Sequence, residues 1–280
     1  ELVRSTLKEL SEPREICYFG GSFCRFEIDT IKSYLDAVLE CAPAGSRIRF
    51  STYPGDLRAA SLRKLLSLYP IACIELGVPS LDPQVLLLCR READPQMTIE
   101  DITTLRDESF PLAMQMMIGL PGQSKESSIN DLKKLAELKG PLAWDLRLYP
   151  CLVLEGTELD SMRQRGSYTP LSLAKAVEWG GEFLDTALSL GFNPIRVGLQ
   201  ESELLASQVT DGPHHPALGE MIGAETLVRK LIRNSWTGPW TVPIEYISKF
   251  TGHGCFGLRR LAECAGITLE KASEMLNFFP

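Results

Sequence analysis

Short apolar runs alternate with longer amphipathic segments through the first 200 residues of the chain. The run 16–19 is apolar throughout, as in a buried strand of a parallel sheet, and the longer segments repeat apolar residues at helical spacing. We predict strands at 15–20, 47–52, 71–77, 111–118, 143–149 and 193–198. We predict helices at 1–11, 27–41, 56–67, 83–91, 98–107, 124–138 and 170–190. Helices therefore lie between successive strands, as the crossovers of a parallel sheet.

This alternation of strand and helix predicts an α/β fold. Six βα steps of this spacing favour a partial (β/α)6 TIM-like barrel over a two-layer sheet. After about Gln200 the alternation stops, with a turn-rich loop over 201–220 and a mostly helical extension over 225–280. We predict two domains, a partial barrel over 1–200 and a C-terminal loop and helical extension over 201–280.

Composition and charge narrow the class of protein. The chain is 44% hydrophobic and 23% charged, which is typical of globular proteins, and no apolar run is long enough to span a membrane. Its eight cysteines form no Cys-x-x-Cys pair, which predicts reduced thiols and a cytoplasmic protein. The net charge of −7 gives no general attraction for phosphate, so nucleic-acid binding is possible but unsupported by charge.

Polar residues and glycines follow the predicted strands, at the ends where α/β proteins bind ligands. Gly20 and Gly21 come directly after the first apolar run, where glycine permits positive φ and lets a ligand approach the backbone. We expect the other strand ends to converge with them, contributing Ser22, Ser51, Gln115, Ile118, Gly119, Arg147 and Tyr149. These residues offer neither a carboxylate pair for acid–base hydrolysis nor a Ser/His/Asp triad.

His214 and His215 lie between prolines in the turn-rich loop. Histidine is a common metal ligand, but no carboxylate or third histidine follows at helical spacing. We therefore favour a structural or substrate-facing loop over a metal site.

Several strand-end motifs resemble those of the radical S-adenosylmethionine (SAM) enzymes. These are YFGGSF at 18–23, IRFST at 48–52, IELGVPSLD at 74–82 and MMIGLPG at 116–122. Further segments resemble the radical domain of the Elongator catalytic subunit in the same order, namely 147–150, 154–158, 168–172, 195–200 and 212–219. The oxygen-independent coproporphyrinogen oxidases are a second similar group.

The resemblance implies an enzyme that generates a 5′-deoxyadenosyl radical from SAM at a [4Fe–4S] cluster, with a reductant such as flavodoxin or ferredoxin and an unknown substrate. It implies that Gly20, Gly21 and Ser22 receive the methionine amino group. The ribose and adenine would be lined by Ser51, Gln115 and the backbone of Ile118 and Gly119. The substrate side would hold Arg147, Tyr149, His214 and His215.

The chain also departs from the family pattern. The family's Cys-x3-Cys-x2-Cys loop is missing, so we predict no cluster ligand in this chain and expect the first strand and the cluster loop upstream of Glu1. Pro79 stands where the family often has Gln, and 94–97 stands where it often has Asn-Arg-x-His. Residues 225–280 are too few for an acetyltransferase domain, so we expect an Elongator-like protein of bacterial type without one.

Two alternatives follow from these departures and from the resemblance itself. One is a catalytically lapsed barrel that acts as a binding or scaffold protein. The other is a tRNA-modifying enzyme by analogy with Elongator.

Overall fold

A six-stranded sheet with crossover helices dominates the computed structural model, which describes residues 1–91, 94–200 and 202–280. The first residue of the predicted loop 201–220 lies outside the described residues. The strands are β1 (Glu15–Tyr18), β2 (Arg47–Thr52), β3 (Ile71–Gly77), β4 (Leu112–Ile118), β5 (Trp144–Pro150), β6 (Val153–Leu154), β7 (Phe192–Val197), β8 (Val209–Asp211), β9 (Trp240–Pro243) and β10 (Leu276–Phe279). The sheet has the order β1-β2-β3-β4-β5-β7, and β1 to β4 pair in parallel.

The helices follow the predicted rhythm. They are α1 (Leu2–Lys8), α2 (Ile28–Cys41), α3 (Ala60–Leu66), α4 (Pro83–Leu88), α5 (Pro95–Asp107), α6 (Lys125–Lys139), α7 (Glu158–Gln164), α8 (Leu173–Ser189), α9 (Glu203–Gln208), α10 (Leu218–Asn234), α11 (Ile247–Ala265) and α12 (Leu269–Met275). Within the described residues, no helix is both long and apolar enough to cross a membrane.

Contacts divide the chain into two compact units, residues 1–116 with 134–147, and residues 117–133 with 148–280. The domain division at residue 200 stays a prediction. The first unit holds β1 to β3 and most of β4, and the second holds β6 to β10.

The first unit buries one face of its strands under helices. Along β2, Ile48 and Phe50 are fully buried, whereas Arg49 and Ser51, which alternate with them, point to the other face of the sheet. Each fully buried side chain of this size contributes about 1.5–3 kcal/mol through removal from water. The period of two in this strand thus separates an apolar core face from a polar face.

Helix caps fix where α4 and α5 begin. Asp82 accepts hydrogen bonds from the backbone N–H groups of Gln84 and Val85, so the helix begins at Pro83, where the prediction places it. The predicted start of the next helix at Thr98 is wrong. Asp94 caps α5 by accepting from the Gln96 N–H at 2.9 Å, and Pro95 occupies the first helical position.

The second unit contains strands that the sequence did not predict. The region read as a turn-rich loop includes α9 and β8, and β8 pairs antiparallel with β6. The extension read as mostly helical also contains β9 and β10, which pair in parallel. Trp240 and Leu276 from these two strands join Val228, Phe250 and Leu261 in one apolar core.

Candidate functional site

A polar cavity of about 620 Å³ lies at the carboxyl ends of the strands of the first unit. This volume is within the range of small-molecule sites, about 300–1,000 Å³. Four of the residues predicted at the strand ends line it, Gly21, Ser22, Ser51 and Gln115. Its other lining residues are Arg25, Thr52, Tyr53, Gly77, Cys89, Arg90 and Arg91.

The glycine pair after β1 leaves the backbone open beside this cavity. Gly20 has φ +121° and Gly21 has φ +155°, a region that other residues rarely adopt. A Cβ atom built on either glycine meets no atom within 4 Å. The conformation therefore requires glycine, and space is left for a ligand at the main chain.

The Ser22 hydroxyl anchors the glycine loop to the end of β2. It donates a hydrogen bond to the Asp56 carboxylate, accepts from the Tyr53 N–H at 2.9 Å and lies 2.9 Å from Thr52 Oγ1. The Ser51 hydroxyl donates to the Gly21 carbonyl at 3.1 Å. Both serines thus hold the loop in place, and direct contact of either with a cofactor stays a prediction.

A buried carboxylate, Glu75, organises the polar face of the sheet next to the cavity. Arg49 and Gln115 donate to it at 2.9 and 2.8 Å, and Arg147 lies 2.7 and 2.6 Å from its two oxygens. Arg49 also donates to Asp145 at 2.9 Å. Burial raises the pKa of Glu75, but hydrogen bonds from Arg147, Gln115 and Arg49 outweigh it and hold the pKa below its usual range.

Arg147 was predicted on the substrate side, and that role stays a prediction. Its side chain is 14% exposed and is held by Glu75, and its guanidinium carbon lies 5.3 Å from the centre of the Phe19 ring. Phe19 is half exposed and directly precedes Gly20. The pair places a cation and an aromatic face beside the glycine loop.

Five of the predicted residues belong to the second unit. The Ile118 carbonyl accepts from the Cys151 N–H at 2.9 Å, and the Gly119 carbonyl accepts from the Tyr168 hydroxyl at 2.6 Å. Tyr149 is half-buried near the end of β5. The other two, His214 and His215, are in the loop before α10.

The histidine loop is held by its own backbone. The His214 N–H donates to the Gly212 carbonyl at 2.8 Å, and His215 Nδ1 accepts from the Ala217 N–H at 3.0 Å. The His215 ring also contacts the His253 ring edge-on, with centres 6.4 Å apart. These contacts give the loop a structural role and leave its substrate role a prediction.

Among the described residues, no group of three His, Cys, Asp or Glu could hold a metal ion or an iron–sulfur cluster, and none of the eight cysteines is in a disulfide. Burial raises the pKa of Cys24 and of Cys73 to about 12, so neither thiol is a thiolate at neutral pH. The described cysteines therefore do not fit a cluster.

The sequence reading missed three arginines at the cavity. It assigned Arg90 and Arg91 to a helix over 83–91, but α4 ends at Leu88, and Arg90 has φ +50° in the left-handed region. Arg25 follows the glycine loop in a short 3-10 helix. Asp94 and Pro95, which start the next helix, were the available signal that the preceding helix ends before them.

The cavity fits a SAM-like ligand on these observations. Guanidinium groups suit a carboxylate, open backbone at Gly20 and Gly21 suits an amino group, and the Gln115 amide suits ribose hydroxyls.

Part of the chain is similar to known proteins. A family model described as the Radical_SAM C-terminal domain matches residues 143–227. A tRNA uridine(34) acetyltransferase of Methanocaldococcus infernus is 30% identical over 149 residues, covering 53% of this chain and 27% of the relative. Elongator complex protein 3 of Dictyostelium discoideum is 26% identical over 121 residues, covering 43% of this chain and 22% of the relative. The chain thus spans about a quarter of these curated relatives.

A solved structure shows the same fold. The archaeal Methanocaldococcus infernus Elp3 with an N-terminal deletion matches with a TM-score of 0.66 and 23% identity, over 88% of this chain and 62% of that one. This likeness confirms the predicted α/β fold of the partial TIM-like barrel class. Over residues 143–227 the chain is thus similar to proteins of the radical SAM superfamily, whose enzymes use SAM and a [4Fe–4S] cluster.

Proposed function

We propose that this chain forms the SAM-binding barrel of a radical SAM enzyme whose substrate is unidentified. The observation that carries the proposal is the cavity at the strand ends, which combines an open glycine backbone, the polar residues Ser51, Thr52 and Gln115, and three arginines. A [4Fe–4S] cluster, when bound, would supply the electron for reductive cleavage of SAM. The cysteine loop that would hold this cluster is predicted upstream of Glu1.

The residues of the cavity have separable tasks in this proposal. Arg25, Arg90 and Arg91 pair with the ligand carboxylate, which gives local attraction in a chain of net charge −7. The glycine backbone receives the amino group. Gln115 lines the ribose.

Binding is tested by calorimetry with S-adenosylhomocysteine, which keeps the amino acid, ribose and adenine of SAM. The blocking variant is Gly77→Leu. A Cβ at Gly77 meets only the Thr52 carbonyl oxygen, at 3.8 Å, so a side chain there enters the cavity without backbone strain. The matched control is Gly252→Leu, since a Cβ there also lies in open space and φ is −73°.

The proposal expects one ligand per chain and an affinity at least tenfold lower in Gly77→Leu, with the Gly252→Leu control binding like the wild type. Failure of the wild-type chain to bind, or equal binding by Gly77→Leu, contradicts it. A cluster-loaded full-length protein without SAM affinity favours the lapsed barrel instead.

A second candidate is modification of tRNA, because the curated relatives are named tRNA uridine(34) acetyltransferases. Filter binding with tRNA at low and raised salt tests it. A complex that weakens steeply with salt supports this candidate, and retention equal to a protein of similar negative charge contradicts it. A flavodoxin- or ferredoxin-type reductant and a cytoplasmic location complete the proposal.

A further inference from the structure

Glu75 lies in the segment 74–82 but has no role in the proposed function, on which the following inference rests. Glu75 has 0% exposure and lies in β3, two residues before the cavity-lining Gly77. Arg49, Gln115 and Arg147 all donate hydrogen bonds to it, and the two arginines also carry positive charge. A buried carboxylate is costly unless it is paired in this way.

The partner that matters for the cavity is Gln115. An ionised carboxylate can only accept hydrogen bonds, so the amide nitrogen of Gln115 must face Glu75, as the 2.8 Å contact records. Gln115 also lines the cavity, and its amide oxygen is the polar atom left for a ligand. The orientation of the amide is therefore dictated by the charge of its neighbour.

We propose that Glu75 is a positioning residue that fixes the Gln115 amide with its oxygen toward the cavity, where that oxygen accepts a hydrogen bond from a ribose hydroxyl of the bound nucleoside. The same carboxylate holds Arg147 at 2.6 and 2.7 Å. The buried Glu75 carboxylate thus fixes both Gln115, on the proposed cofactor side, and Arg147, which is predicted on the substrate side.

The variant Glu75→Gln should reverse the amide. Arg49 and Arg147 Nη2 both donate to Oε1, so the oxygen of the new glutamine stays at that position. Its nitrogen takes the position of Oε2, where it faces Gln115 and displaces Arg147 Nε from its 2.6 Å contact. Gln115 must then turn its own oxygen inward and present nitrogen to the cavity. The exchange variant Glu75→Gln with Gln115→Glu keeps the total charge and restores an acceptor at the cavity.

The test compares the affinities of S-adenosylhomocysteine and its 2′,3′-dideoxy-2′,3′-difluoro analogue, in which fluorine, which cannot donate a hydrogen bond, replaces each ribose hydroxyl; an amide oxygen discriminates between the two ligands, whereas an amide nitrogen can donate to either. One hydrogen bond contributes about 0.5–1.5 kcal/mol, so the wild type should prefer the hydroxylated ligand about threefold to tenfold. Glu75→Gln should lower this preference to below about twofold, and the exchange variant should restore it. A purely structural role for Glu75 would weaken both ligands equally.

Gln115→Leu keeps Glu75 paired with both arginines while it removes the acceptor at the cavity and one donor to Glu75, so it tests the contact even if Glu75→Gln fails to fold. It should abolish the preference while the difluoro ligand still binds. An unchanged preference in Gln115→Leu or in folded Glu75→Gln overturns the inference and leaves the proposed function standing. A wild-type chain that binds neither ligand overturns both.

Discussion

Removing the Ser22 hydroxyl should loosen the glycine loop and destabilise the chain. In Ser22→Ala the Asp56 carboxylate loses a donor and the Tyr53 N–H loses its 2.9 Å acceptor. The surroundings are poorly solvated, since the Asp56 side chain is 16% exposed and Thr52 is 3% exposed. Water therefore replaces the lost bonds only in part.

The magnitude follows from the two bonds. A hydrogen bond to a charged group contributes about 1.5–3 kcal/mol and a neutral one about 0.5–1.5 kcal/mol. We expect Ser22→Ala to lower the free energy of unfolding by about 2–4 kcal/mol, measured by urea denaturation. Because the loop lines the cavity, the affinity for S-adenosylhomocysteine should fall as well.

Ser51→Ala is the matched control, since Ser51 contributes a single 3.1 Å bond to the Gly21 carbonyl at the same loop. It should cost about 0.5–1.5 kcal/mol. A Ser22→Ala protein within about 0.5 kcal/mol of the wild type, or one no less stable than Ser51→Ala, would refute the anchoring role.

Three further predictions concern packing, acid stability and the arginine wall. Gly181→Ala in α8 places a Cβ 2.3 Å from Glu225 Cγ of α10. Although alanine favours helix, this clash should lower the free energy of unfolding by about 1–3 kcal/mol and lower the melting temperature. A raised melting temperature contradicts this. Because the pKa of Glu75 is lowered on folding, its stabilisation is complete above the unfolded pKa of about 4.3 and is lost as pH falls through the folded pKa. Urea titrations from pH 6 to 3 should therefore show a weaker pH dependence in Glu75→Gln, and an identical slope contradicts the burial account. Arg90 has φ +50°, so Arg90→Gly should keep the free energy of unfolding or raise it by up to about 1 kcal/mol. The variant should bind S-adenosylhomocysteine more weakly and should bind 5′-methylthioadenosine, which lacks the carboxylate, as the wild type does. Equal losses of affinity for both ligands contradict a carboxylate contact.

Local signals predicted the first unit well. The strands at 47–52 and 71–77 match β2 and β3 to the residue, because each apolar pattern ends at a proline-containing turn. The pairing of β9 with β10 was missed since it joins Trp240 to Leu276, residues far apart in sequence within two four-residue strands. No local pattern marks such a pair.

The candidate site was predicted in part for the same reason. The open backbone at Gly20 and Gly21 could be predicted, because glycine itself permits the positive φ that both residues adopt. The engagement of Ser22 depends on Asp56 in the next βα connection, and the orientation of Gln115 depends on a carboxylate in a neighbouring strand. These partners become neighbours only when the sheet forms, so the sequence alone does not predict which hydrogen bonds Ser22 and Gln115 make.

The account's central claim is that these strand ends hold SAM for radical chemistry. The most direct measurement is formation of 5′-deoxyadenosine by the full-length protein, reconstituted anaerobically with iron and sulfide and then reduced in the presence of SAM. We predict that the wild type forms it and that Gly77→Leu, loaded with the same amount of iron, forms little. An iron-loaded wild-type protein that forms none, or a Gly77→Leu protein that forms as much, would contradict the claim.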